Sequence, residues 1–128
     1  MATIHQEEKF AAPPDRVFKA LTDGKEHARF TGAPAEIDPQ PGGNVSCYGG
    51  KVGGRTVDLV PGSRIVWAWR ADGWPEGAWS IARFELSKSG SGTRLVFDQD
   101  GVPQSALEHI DAGWKKMYWE PLRKYLGG

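Results

Sequence analysis

The sequence contains one cysteine, Cys47, so no internal disulfide can form. It also lacks net charge, because sixteen Lys and Arg residues balance sixteen Asp and Glu residues. Without an excess of positive charge to track phosphates, a nucleic-acid partner is not expected. Long hydrophobic runs are missing: the longest, Ile65 to Trp69, falls far short of the roughly 20 residues that cross a bilayer, so no membrane partner is expected either. Met1 to Phe10 is polar where a secretion signal needs a basic start and an apolar stretch, which makes the cytoplasm the expected compartment. His5, His27 and His109 are dispersed, with no i, i+4 pair and no cysteine at ligand spacing, so no metal site is expected. Gly49-Gly50-Lys51-Val52 fails the phosphate-loop pattern, since Val45 stands where the first glycine belongs and Val52 is neither Ser nor Thr. No cofactor is implied.

What the chain does have is 17 Gly, 9 Pro and 6 Trp in 128 residues, the composition of a turn-rich sheet with a large aromatic payload. That length suits one domain over 1–128, able to bury a core without metal or disulfide staples. Thr3 to Phe10 alternates well enough for an edge strand. Ala12-Pro13-Pro14 stops it and places a proline at the start of a short helix over Asp15 to Asp23, followed by a further turn over Glu26 to Phe30. From Ala35 to Phe97, short apolar runs near 44–48, 55–60, 64–71, 78–88 and 93–99 are separated by glycine and proline turns, the pattern of an antiparallel meander. Alternation predicts that Val57 and Leu59, then Ile65, Trp67 and Trp69, then Phe84 and Leu86, then Leu95 and Phe97, share one inner face. After Val102-Pro103 the period becomes helical: Leu107, Ile110, Trp114, Met117, Tyr118, Pro121, Leu122 and Tyr125 form an apolar stripe, with a kink predicted near Met117 to Pro121. The expected fold is therefore α+β: a curved antiparallel sheet of about six strands wrapped on a long carboxy-terminal helix, with two short helices after the first strand.

Several segments, in this order and spacing, make the chain recognisable: Ala12-Pro13-Pro14-Asp15-Arg16-Val17-Phe18, Gly42-Gly43-Asn44-Val45, Thr56-Val57-Asp58-Leu59-Val60-Pro61, Arg64-Ile65-Val66-Trp67-Ala68-Trp69-Arg70, Trp74-Pro75-Glu76-Gly77, Gly92-Thr93-Arg94-Leu95, Gly101-Val102-Pro103 and Gly113-Trp114. Over almost its whole length the chain resembles the carboxy-terminal domain of activators of the heat shock protein 90 ATPase. The resemblance implies the helix-grip fold of the START-related, pollen-allergen-like superfamily, and a chaperone-linked protein interaction. A scaffold shared by carriers, receptors, enzymes and co-chaperones does not by itself choose among functions.

Three readings follow. The first is a non-enzymatic binding domain whose partner is a heat shock protein 90 type chaperone; Trp74 and Glu76, in a turn, are the candidate contacts, the alternative being that the turn pins Trp74 over the helix end. The second is a carrier or sensor of a small apolar ligand held between sheet and helix. Its candidate lining is Val57, Leu59, Trp67, Trp69, Phe84, Leu95, Trp114, Met117 and Tyr118, which otherwise simply fill the core. The third is a cyclase or hydrolase type of enzyme, for which the sequence shows no catalytic constellation; only His109, Asp98 or Glu85, turned into a pocket, would supply one.

Overall fold

The computed structural model describes residues 2–127. β1 (Ala2–Phe10) is followed by α1 (Pro14–Thr22) and α2 (Gly24–Thr31), then by β2 (Glu36–Ile37), β3 (Asn44–Cys47), β4 (Val52–Val60), β5 (Arg64–Ala71), β6 (Ser80–Ser89) and β7 (Gly92–Val102). The strands form one curved antiparallel sheet of seven in the order β1-β7-β6-β5-β4-β3-β2. The strand beyond the expected six is β2, whose two residues pair Glu36 with Ser46 and Ile37 with Val45, too short to produce a readable alternation. β1 takes the predicted edge position and pairs along its length with β7, so the first and last strands of the chain are neighbours.

Asp23 sits between the two short helices and caps the second, its carboxylate accepting from the backbone N–H groups of Lys25 and Glu26. Pro14 occupies the first turn of α1, where a missing N–H costs nothing. Val17, Ala20 and Leu21 of α1 and Phe30 of α2 face the core. The chain then closes with α3 (Leu107–Trp114), a π-helical turn over Lys115–Trp119, and α4 (Glu120–Tyr125).

The predicted kink thus takes the form of a π turn, and its cause is Pro121. Having no N–H, Pro121 cannot donate to the Met117 carbonyl in the α register; the Tyr48 hydroxyl donates to that carbonyl instead. Tyr48 reaches it from a left-handed backbone conformation, φ 52°, that is unfavourable for a side chain of this size. The π turn also changes which residues face inward. Five residues turn an α-helix by about 140°, whereas an i to i+5 turn brings them back to one side. Trp114 and Trp119 are therefore both buried, with rings 5.6 Å apart and nearly parallel, while Met117 turns outward and is 42% exposed. A strict 3.6-residue period misses Trp119 and wrongly buries Met117.

The sheet face beneath the helix carries Ile65, Trp67 and Trp69 from β5, Phe84 from β6, and Leu95 and Phe97 from β7, all buried as the alternation predicts. β4 is different. A bulge between Thr56 and Asp58 shifts the register, so Thr56 faces Trp67 and Leu59 faces Ile65, while Val57 is turned to the outside and is 50% exposed. Val57 and Leu59 do not share a face. At Gly54 the strands approach so closely that a Cβ would lie 1.9 Å from the Ala68 carbonyl oxygen, which only glycine tolerates.

Two buried glutamines bind the helix to the sheet. The indole N–H of Trp114 donates to Gln99 (2.8 Å), whose amide donates to the Ser80 hydroxyl (2.9 Å), which donates to the Trp69 carbonyl (2.7 Å). The indole of Trp119 donates to Gln6 (2.6 Å), whose amide returns to the carbonyl and side chain of Asp111 (both 2.9 Å). By contrast, the buried indole N–H groups of Trp67 and Trp69 have no acceptor. His27, fully buried, spans from the Leu21 carbonyl to the Tyr118 hydroxyl, each 3.1 Å away, and burial pushes its pKa down from 6.5 to about 4.

Two outcomes are expected. Trp114→Phe strands the Gln99 acceptor in the core, whereas Trp67→Phe removes an N–H that has no partner. In urea unfolding, the first is expected to cost about 1–3 kcal/mol more than the second, and equal losses would show that the indole bond contributes nothing. For His27, the unfolded chain accepts a proton that the folded core refuses. Stability is therefore expected to fall as pH drops from about 6.5 to about 4, by an order of 3 kcal/mol in full. His27→Gln is expected to flatten that part of the profile, and an unchanged slope would place its origin elsewhere.

Candidate functional site

The residues suggested as a ligand lining separate into a packed group and a group beside open space. Trp67, Phe84 and Leu95 are wholly buried in the core and do not line the cleft described next, and Leu59 is a half-buried residue at the core's margin. The open space lies at one end of the helix–sheet interface. It is a cleft of about 720 Å³ lined by Trp69, Trp114, Met117 and Tyr118 from the expected set, joined by Val52, Ala71, Ile110 and Gly113. Val57, on the opposite face of the sheet, takes no part.

Trp74 belongs to this cleft too. Only 8% exposed, it packs edge-on against Trp69 at 5.5 Å, and Trp69 in turn lies 5.5 Å from Trp114, so three indoles form one wall. The loop between β5 and β6 is folded over by Arg70, whose guanidinium donates to the carbonyls of Trp74 (2.9 Å), Pro75 (3.2 Å) and Ala78 (3.3 Å). This tie tucks Trp74 inward and leaves Glu76 exposed at the tip. Trp74 is thus a wall residue and not a free contact, and the exposed indole of this loop is Trp79 (48%) under the Arg70 guanidinium.

Polar groups stand at the rim: Lys51, Asp72, Ser105 and His109. The floor is Tyr118, with the Tyr48 ring packed edge-on against it at 5.8 Å and the His27 ring behind it at 5.3 Å. Burial pushes the Tyr118 phenol well above its ordinary range and the Cys47 thiol up to about 11. Of these groups only the tyrosines line the cleft; the neutral His27 imidazole and the neutral Cys47 thiol are sealed behind them. Gly113 is placed so that a Cβ would meet nothing within 4 Å.

The residues that an enzyme would have required are not gathered here. His109 is at the rim, but Asp98 and Glu85 lie on the outer face of the sheet. There Asp98 accepts from Arg83 (3.2 Å) and contacts His5 Nδ1 (2.6 Å), and Glu85 pairs with Arg83 (3.0 Å). His5 also contacts Glu7 (3.1 Å), and hydrogen bonding to Asp98 and then Glu7 raises its pKa. Among the described residues no group of three or more His, Cys, Asp or Glu side chains is placed to hold a metal ion, and no helix is long and apolar enough to cross a membrane.

Sequence reasoning missed Gln6, Gln99, His27 and Gly113. Gln6 and Gln99 were accessible in principle, because each falls in the inward phase of its strand, between Ile4 and Phe10 and after Phe97. His27 and Gly113 carried no such signal: their roles depend on Tyr118 and on empty space contributed by distant segments.

Comparison with known proteins supplies the family. The family described as "Activator of Hsp90 ATPase homolog 1-like protein" matches residues 11–127. The human protein named "Activator of 90 kDa heat shock protein ATPase homolog 1" is 30% identical over 124 residues, covering 97% of this chain and 37% of that protein. The Dictyostelium discoideum homolog is 30% identical over 115 residues, covering 89% of this chain and 30% of its own length. The chain thus spans little more than a third of the curated relatives it matches. A solved structure described as an HSP90 activator from Plasmodium falciparum aligns with a TM-score of 0.93 at 25% identity, over 99% of this chain and 97% of that one. Matching sequence segments and a matching helix-grip fold lead to one conclusion: the chain belongs to the Activator of Hsp90 ATPase homolog 1-like family.

Proposed function

We propose that this chain is a non-catalytic docking module for a heat shock protein 90 type chaperone. The observation that carries the reading is the family match over 11–127, together with a relative of the same fold described as an HSP90 activator. The chemistry of the cleft supports it. The hydroxyl–imidazole pair of Tyr118 and His27, behind the floor, is sealed in the core and neutral and so does not act as an accessible base, and His109 stands at the rim without Asp98 or Glu85 beside it.

A second reading is favoured by Gly113. Glycine inside a helix is less stable than alanine by about 0.5–1 kcal/mol, and no neighbour forbids a side chain here. The open space beside it is the three-indole cleft, which has the apolar lining and size of a small-molecule pocket. We infer that a neutral aromatic molecule can be held there, an activity compatible with docking on the outside.

Amide NMR titration of the labelled chain with the source organism's heat shock protein 90 homologue, at high micromolar concentration, is expected to give localised, saturable shifts; an unchanged spectrum sinks the docking reading. For the cleft, the fluorescence of N-phenyl-1-naphthylamine is expected to rise saturably with the wild-type protein and to be lost in Gly113→Leu, whose added volume fills the space. Gly113→Ala is expected to gain about 0.5–1 kcal/mol in urea unfolding. Equal probe signals from wild type and Gly113→Leu would remove the second reading.

A further inference from the structure

The outer face of the sheet holds a group of side chains that neither the core nor the cleft uses. Opposite one another on β4, β5 and β6 lie Arg55, Ala68 and Ile81, and one step along the same face Arg70 stands beside Trp79. The bulge in β4 adds Val57 to this surface. Without it, regular alternation would put Val57 on the same face as Leu59, which packs on the core. Trp79, Ile81 and Val57 are exposed by 48%, 46% and 50%, a large apolar outlay for one side of a sheet.

The anchor of this surface is already rigid. Arg70 lies over the Trp79 ring, 5.6 Å from its centre, and is held there by its bonds to three loop carbonyls. A tryptophan and an arginine locked before binding lose little freedom on contact, and these residue types dominate the energy of protein interfaces. The charges are sorted as well. Arg64 is paired with Asp58, and Arg83 with Glu85 and Asp98, so that end of the face is neutralised internally. Arg55 and Arg70 bond only to carbonyls: Arg55 to Gly42, Arg70 to the loop. Among the described residues neither has a carboxylate partner, while Asp100, across from Ile81, is engaged by the Thr3 hydroxyl.

We propose that the Trp79–Arg70 face, with Ile81, Val57 and Arg55, is the surface on which the chaperone docks, and that it recognises aliphatic side chains bordered by carboxylates. This deepens the docking reading above and rests on it. An exposed sheet face outside the cleft suits a protein and not a small molecule. A second copy of this chain fits poorly, because a twofold contact through this patch would bring the same unpaired arginines together.

The test is the same chaperone titration, run on wild type, on the double variant Trp79→Ser with Ile81→Ser, and on Arg55→Glu. All three changes are at exposed positions, and retained urea midpoints show that the fold is intact. Wild-type shifts are expected to centre on Trp79, Ile81 and Val57, and affinity to fall at least about tenfold in the double variant and severalfold in Arg55→Glu. If wild type binds with shifts elsewhere and the variants bind equally well, this inference is overturned and the docking reading stands. If wild type does not bind, both fall. Shifts on this face that appear on concentrating the protein alone would mean that a second copy covers it, which also overturns the inference.

Discussion

The hydrogen bond from the Trp114 indole to Gln99 is the contact on which much of the remaining structure depends. It fixes the closing helix over the sheet at one point and continues through Ser80 to the backbone of β5, so the helix, β7, β6 and β5 are tied in one line. Trp114 is also where the aromatic core converges: Phe97 lies 4.3 Å away, Tyr118 4.6 Å and Phe84 5.7 Å. Leaving any polar group of such a chain unpaired in the core costs more than the bond itself returns, and for that reason a buried glutamine holds the helix more specifically than another leucine would.

That anchor creates a geometric problem, which the π turn resolves. Trp114 and Trp119 both have glutamine partners in the sheet, and a regular helix would point them to different sides. Pro121 removes a backbone donor of the α register, and Tyr48 satisfies the carbonyl it leaves. The cost of the irregularity is distributed over a proline, a strained tyrosine and an exposed methionine. Beyond the helix, the space that Gly113 leaves open remains bordered by three indoles.

The two faces of the sheet then differ in character. Inside, cleft and core share Trp69 and Trp114, so the wall of the cleft is also part of the packing of the helix. Outside, the bulge in β4 and the carbonyl tie of Arg70 expose a rigid apolar and cationic surface. The two sites lie on opposite sides of β5, whose alternate residues, Trp69 and Arg70, belong to one each.

By itself, the sequence determined the element order apart from β2, the inward rows of β5, β6 and β7 and the amphipathic closing helix, because local period and turn chemistry need no knowledge of distant partners. It also held the segments that mark the family. Tertiary structure alone decided the exceptions. Val57 leaves the inner face through a bulge that depends on pairing with β5; Met117 leaves it and Trp119 joins it through a π turn that Tyr48 completes from elsewhere in the chain. Trp74 is buried because Arg70 gathers its loop, and Gln6, Gln99 and His27 are core residues because tryptophan and tyrosine groups far along the chain supply their partners. The physical reason is common to all of these. These glutamines and this histidine are tolerated in the interior because specific partners arrive, and arrival is a property of the folded chain, not of the neighbouring sequence.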